Sequence, residues 1–209
     1  MARDHVSATR SELLARRAQI RLASQGRDLL KDKRAALMRE FSGLEAEVLT
    51  KMREQGALAS AARRQLAEAT ALDGPEAVGA AALATPHVLN ASATARNVAG
   101  VPVVTLEHDR AARARTERGF ALVATGPRID DTAEAFEAQL DAVMELSADV
   151  LNLRRLAAEV AATTRRVNAL EHAVIPELEV ERDRIALVLD ERELEDRVRL
   201  QRARRHGAT

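Results

Sequence analysis

From residue 143 onward, apolar residues return in steps of three and four. Val143, Leu146, Val150, Leu153, Ala157, Val160, Thr164 and Val167 are followed in the same frame by Glu171, Val174, Leu178, Glu181, Ile185 and Val188. A period near 3.5 sustained this long is a heptad seam, interrupted only by Thr164, Glu171 and Glu181, and it predicts a coiled-coil helix. The start falls at Asp131, whose side chain can cap while Glu134 reaches back from three residues on. Run to about residue 204, that helix would be roughly 110 Å long. Pro176 lies inside it, where an interior proline removes the hydrogen bond to the carbonyl of His172 and presses on that turn.

The N-terminal half supplies a partner. Val6, Leu13 and Ile20 recur at sevens, and Leu30, Leu37, Phe41, Leu44, Val48 and Met52 resume a three-and-four step. The frame is expected to slip around Gly26, and the helix to run to Leu72 before Asp73-Gly74-Pro75 ends it. Residues 75–96 are Ala-rich and could hold one or two short helices. Two apolar runs follow, Asn97–Glu107 and Gly119–Thr125, either side of a basic loop at Ala111–Arg118. They read as a hairpin in which Pro102 confines its strand to an edge. An isolated hairpin is marginal in water, so this one must lean on the helices or on a partner. The expected fold is therefore all-α dominated: a long antiparallel two-helix coiled coil with a short helical and β-hairpin insertion. One structural unit is expected from three segments: an N-terminal helix (1–72), the insertion (73–130) and a C-terminal helix (131–209).

Charge supports the antiparallel pairing. Residues 15–39 hold eight basic and two acidic residues, whereas 171–196 hold ten acidic and three basic. Setting residue 5 opposite residue 205 brings the two blocks face to face, and flanking charges of opposite sign help select partner and orientation. Composition agrees with solvated helices. Among 209 residues there are three Phe, no Tyr and no Trp, and 31% are charged, so the apolar content comes from Ala, Leu and Val rather than from rings that fill a globular core. The chain has no Cys, which excludes disulfides and thiolate chemistry. With no long apolar run and a charged start, it reads as soluble and intracellular.

Motifs for chemistry are missing. There is no GxxxxGK[ST] loop and no GxGxxG after a strand, and His5, His87, His108, His172 and His206 lack metal-ligand spacing. No catalytic residue, no metal and no cofactor is expected. The last thirteen residues, by contrast, carry Arg197, Arg199, Arg202, Arg204 and Arg205 and no acid. Such a basic tip can follow nucleic-acid phosphates, dock on an acidic protein surface, or simply be a solvated face. The chain sums to zero charge, with 32 basic and 32 acidic residues, and has no aromatic stacking platform.

Two segments carry a resemblance. Thr9, Arg10, Leu13, Gly26, Leu29, Leu30, Lys31, Lys33, Arg34, Leu37, Glu40 and Phe41 in the first helix form one. Arg165, Arg166, Val167, Asn168, Ala169, Leu170, Glu171, Ile175 and Pro176 form the other. Together they resemble the D-subunit family of archaeal and vacuolar-type rotary ATPases, with weaker echoes in Asn97–Val101 and Gly119–Phe136. Ala99 and the early Pro102 depart from the family pattern and put the hairpin's partner contacts in doubt.

The resemblance implies a non-catalytic central-stalk rotor subunit of an ATP-synthesising or ATP-hydrolysing, hydrogen-ion-transporting complex. It would be an antiparallel, left-handed coiled coil that transmits torque between the catalytic ring and the membrane ring. Implied partners are the catalytic and regulatory subunits of that ring, a small F subunit and a funnel-shaped subunit on the membrane ring. The chain would sit peripherally on the cytoplasmic side, with no nucleotide or nucleic acid bound directly. Arg3, Arg10, Arg202, Arg204 and Arg205 would face the catalytic ring. Leu30, Lys31, Lys33, Arg34, Arg165, Arg166, Asn168, Leu170, Glu171 and Pro176 would be shaft residues; Pro176 would either bend the shaft and make it asymmetric or only ease the coiled coil past a frame irregularity. The gamma shaft of F-type enzymes is a near alternative, but the residues between the helices are too few for its α/β domain. A structural coiled-coil scaffold with a basic tip, or a nucleic-acid-associated coiled coil, are the alternatives of other classes.

Overall fold

The computed structural model describes residues 8–85, 89–120 and 125–206, with the side chains of Arg205 and His206 outside the description. Helix α1 spans Arg10–Asp73 and α2 Pro75–Ala84. Strands β1 (Ala91–Val98) and β2 (Val101–His108) form an antiparallel hairpin. A single 3₁₀ turn at Arg115–Glu117 precedes α3 (Pro127–Ala169), a π turn (Leu170–Val174) and α4 (Ile175–His206). The predicted fold class, helices in a coiled-coil pattern with a hairpin insertion, is the observed one. Contacts divide the chain into two compact units, one of Met1–Ala35 with Val160–Thr209 and one of Ala36–Glu159.

Local chemistry sets the ends of α1. The Glu12 N–H donates to Thr9 Oγ1 at 3.2 Å, satisfying one of the orphan donors of its first turn. At the other end Gly74 takes φ 90°, a conformation that costs an L side chain, and Pro75 opens α2 at the first helical position. The seam of α1 needs no slip at Gly26. Leu13, Ile20, Arg27, Arg34, Phe41, Val48, Gln55, Ala62 and Ala69 recur every seven residues, and all are buried or half-buried. Ala23, Leu30, Leu37, Leu44, Lys51 and Leu58 form the second row. The frame is hidden in the sequence because Arg27 and Arg34 occupy it, burying their stems while the heads stay wet.

The C-terminal seam needs a correction of its own. Before residue 170 the buried or half-buried rows are Asp149, Leu156 and Thr163 with Leu153, Val160 and Val167. From Glu171 on they are Glu171, Leu178 and Ile185 with Ile175, Arg182 and Leu189. Thr163 to Glu171 and Val167 to Ile175 are each eight residues, not seven. The π turn is where the extra residue goes: the Ile175 N–H donates to the Leu170 carbonyl, five residues back. A strict heptad carried across it therefore misplaces one row on each side. Val143 and Val150 are 38% and 42% exposed, Ala157, Val174 and Glu181 are exposed, and Ile175 is buried in place of Val174.

The second helix and the hairpin also differ from expectation. The C-terminal helix begins at Pro127, four residues before Asp131, because a proline at the first helical position needs no N–H donor. The hairpin pairs Ala91–Val98 with Val101–His108, so its first strand lies in the segment expected to be helical. Its turn explains why. Ala99 and Gly100 both have positive φ (51° and 89°), as a two-residue turn matched to strand twist requires, and Asn97 Oδ1 accepts from the Gly100 N–H at 2.7 Å. That turn outweighs the helical preference of the alanines before it. Gly119 and Phe120 lie outside the hairpin, and Ala121–Ala124 fall outside the described residues.

Candidate functional site

No pocket-centred chemistry emerges. Among the described residues no group of three or more His, Asp or Glu could hold a metal ion, and no helix is long and apolar enough to cross a membrane. The functional candidates are surfaces: the helix pair of the first unit, its π turn, and the hairpin docked in the second.

In the first unit α1 runs antiparallel to α4 and the end of α3, joined by long-range ion pairs. Arg10 pairs with Glu193, Arg16 reaches Glu181 at 3.2 Å, and Lys31 donates to Glu171 at 2.9 Å. Arg192 adds a hydrogen bond to the Ala8 carbonyl at 2.9 Å. The Lys31 ammonium holds the Glu171 carboxyl below its ordinary range, and the Arg10 guanidinium does the same to Glu193. The orientation is antiparallel as charge implied, but the register is not the expected one: Arg10 and Lys31 meet Glu193 and Glu171 rather than Leu200 and Glu179. In the second unit Lys51 meets Asp149, not Glu159. At the second unit's turn Arg128 pairs with Asp73 at 3.3 Å, beside the early start of α3 at Pro127.

The predicted ring-facing arginines do not share one situation. Arg3 lies outside the described residues, and the Arg205 side chain is likewise undescribed. Arg10 is engaged with Glu193, whereas Arg202 and Arg204 are exposed near the end of α4 with no ion pair among the described residues. Arg197 and Arg199 lean back on Glu193 and Glu195 at 3.9 and 3.7 Å. Of the predicted shaft residues, Leu30, Lys31, Lys33 and Arg34 are half-buried on α1. Arg165, Arg166 and Asn168 are exposed on the last turns of α3. Leu170 supplies the π-turn carbonyl, Glu171 sits half-buried on the seam, and Pro176 follows on the exposed face.

The proline and the π turn are one feature. In an α register Ile175 would donate to Glu171 and residue 176 to His172; proline has no N–H for the second bond. Lengthening the turn by one residue relaxes the clash and swings Ile175 into the seam, where it is buried. An apolar side chain of this size gains roughly 1.5–3 kcal/mol on full burial, enough to offset a poorer turn.

In the second unit, groups the sequence did not single out hold the insertion. Asn152, 3% exposed in the middle of α3, accepts from the Val104 N–H at 2.8 Å through Oδ1 and donates to the Val104 carbonyl at 2.7 Å through Nδ2. Its carboxamide thus stands in for a neighbouring strand. Arg155, one turn on, donates to the Pro102 carbonyl at 2.9 Å. Arg118, also 3% exposed, forks onto Glu137 at 3.0 and 2.9 Å and reaches Asp130 at 3.1 Å. Glu137, first, and Asp130 raise the Arg118 guanidinium further above its already high ordinary value. Asp141 accepts from the Ala111 N–H at 2.8 Å. Lys51 bridges Asp149 at 2.7 Å and Glu47 at 2.9 Å, which raises its pKa above the ordinary lysine range. Nothing local marks Asn152, whose helical neighbours include Glu145, Asp149 and Arg155, or Arg118 among the other arginines of its loop.

Known proteins with similar sequences bear on these surfaces. The family of ATP synthase D subunits matches residues 12–205. The A-type ATP synthase D subunit of Thermococcus gammatolerans is 40% identical over 96% of this chain and 94% of its own length. That of Methanoregula boonei is 34% identical over the full length of both. The V-type ATP synthase D subunit of Thermus thermophilus is 39% identical over 94% of this chain and 86% of its own.

Proposed function

The chain belongs to the ATP synthase D-subunit family, and from that premise we propose that it is the central-stalk rotor shaft of an A/V-type ATP synthase. As a subunit of that complex it works beside catalytic subunits, and its membrane association comes through the assembly. In this reading it carries torque between the ATP-handling ring and the ion-translocating membrane ring. The observation that carries the reading is the first unit's helix pair, in which cross-helix ion pairs at Arg10, Arg16 and Lys31 join the helices up to an arginine-bearing end. Torque must pass through a body whose two strands do not slide, and several cross-links along one seam oppose sliding more than any single exposed pair does.

Arg202 and Arg204, with Arg3, Arg10 and Arg205, are the side chains proposed to meet the ring of catalytic and regulatory subunits. The small F subunit and the funnel-shaped subunit are proposed to bind elsewhere along the chain. The π turn at Leu170–Val174 gives the shaft unlike faces on its two sides, since the seam frame shifts there by one residue. A rotor must contact distinct catalytic states differently if it is to bias them.

The test is ATP hydrolysis by the cognate ring assembled with this chain carrying one engineered cysteine, Arg202→Cys, opposite a cysteine in the ring wall. Hydrolysis that stops on oxidation and returns on reduction shows a turning shaft. Hydrolysis unaffected by a formed cross-link rejects rotation of this tip, and a chain that never enters the ring favours a scaffold.

A further inference from the structure

We infer that the outer edge of β1 is a strand-addition site that receives an extended segment of a neighbouring subunit of the assembly. The hairpin's two edges are unlike. Val104 gives both its N–H and its carbonyl to Asn152, so the pair Ala95–Val104 exchanges no ladder bonds, and every second pair along the ladder is of the same kind. Ala91–His108, Ala93–Leu106 and Asn97–Pro102 are therefore the other outward-facing pairs, and Pro102 has no N–H to leave idle.

On β2 this outward edge is closed toward the turn, where Asn152 takes Val104 and Arg155 takes the Pro102 carbonyl, while the outward groups of Leu106 meet no partner among the described residues. On β1 the outward N–H and carbonyl groups of Ala93 and Ala95 meet no partner among the described residues.

Free edges are usually guarded by a charge, a proline or a bulge. The stretch Ala91–Ala95 has none of these: its side chains are the small, uncharged ones of Ala, Ser and Thr, and all five residues are exposed. Groups spaced at every second residue, with donor and acceptor both outward, are matched only by another extended backbone. Small neutral side chains let such a strand approach and ask for a neutral strand in return. This rests on the subunit reading above.

The experiment is amide hydrogen exchange at single-residue resolution, on the isolated chain and on the intact ATP synthase containing it. Expected is slowing of Ala93 and Ala95 by about tenfold or more on assembly. Thr94 and Arg96, already bonded to β2, should change less. Ala95→Pro removes one outward donor without touching the hairpin's own ladder, and should abolish the slowing at Ala93 while Thr94 and Arg96 stay slow. Equal fast exchange of Ala93 and Ala95 in both samples overturns the inference and leaves the subunit reading intact. Slowing in the isolated chain that grows with its concentration assigns the edge to a second copy and also overturns it. A chain that does not enter the complex overturns both.

Discussion

The two units are held by different polar contacts: ion pairs between helices in the first and, in the second, beside the Lys51–Asp149 pair between helices, buried groups that fasten the insertion to α3. In the first, the cross-helix polar contacts are exposed or half-exposed ion pairs: Arg10–Glu193, Arg16–Glu181 and Lys31–Glu171. Each contributes little and weakens with salt. In the second, the α1 seam narrows to Ala59, Ala62 and Ala69, and the decisive polar groups are buried: Arg118 on Glu137 and Asp130, Asn152 on Val104. Exposed pairs fix which helices meet and in what direction, and tolerate loss. Buried ones fix where a non-helical insertion sits, and do not.

That contrast is open to experiment. Its largest expected effect is Arg118→Ala, which strands two carboxylates beneath the insertion and should cost about 3–5 kcal/mol in denaturant unfolding. A loss within error of zero would put the second unit on the same footing as the first. Next, Ile175→Ala should cost roughly 2–4 kcal/mol whereas Val174→Ala costs under about 0.5 kcal/mol. The reverse order would restore the unbroken heptad and remove the frame shift. Asn152→Ala leaves both Val104 groups without their partner and should cost about 1–3 kcal/mol, with faster amide exchange at Val104 and Val103. Unchanged exchange there would mean the hairpin stays docked without the carboxamide.

The smallest effect belongs to the exposed pairs. Glu171 and Glu193 titrate below their unfolded values, so the stability they add is present above the ordinary carboxylate pKa and is lost as pH falls through the lowered one. Acidification to that range should loosen the first unit, read as faster exchange at residues 10–35. Lys31→Met should remove the Glu171 share of this pH dependence, and moderate salt should mimic it.

Much of this molecule was legible in its sequence because helices read locally. Val160, Val167, Leu178 and Ile185 announce a helix whose apolar face returns every three or four residues, and opposite charge blocks announce that the partner runs the other way. Segments matching the D-subunit family carried the family assignment that no catalytic motif could. Pattern alone could not locate the frame shift. A repeat of seven and a repeat interrupted by one residue both place apolar side chains near residues 174 and 175, and only packing against α1 chooses Ile175.

The hairpin was misread for a related reason. Alanines at 91, 93 and 95 favour a helix, but the turn at Ala99-Gly100 and the buried Asn152, far away in sequence, favour a strand. The sequence by itself determined the helices, their antiparallel sense and the family. Tertiary structure decided the register, the π turn, the identity of β1 and the parts of Arg118 and Asn152. Each of those depends on which distant group satisfies a buried donor, acceptor or apolar surface, and no local period encodes that.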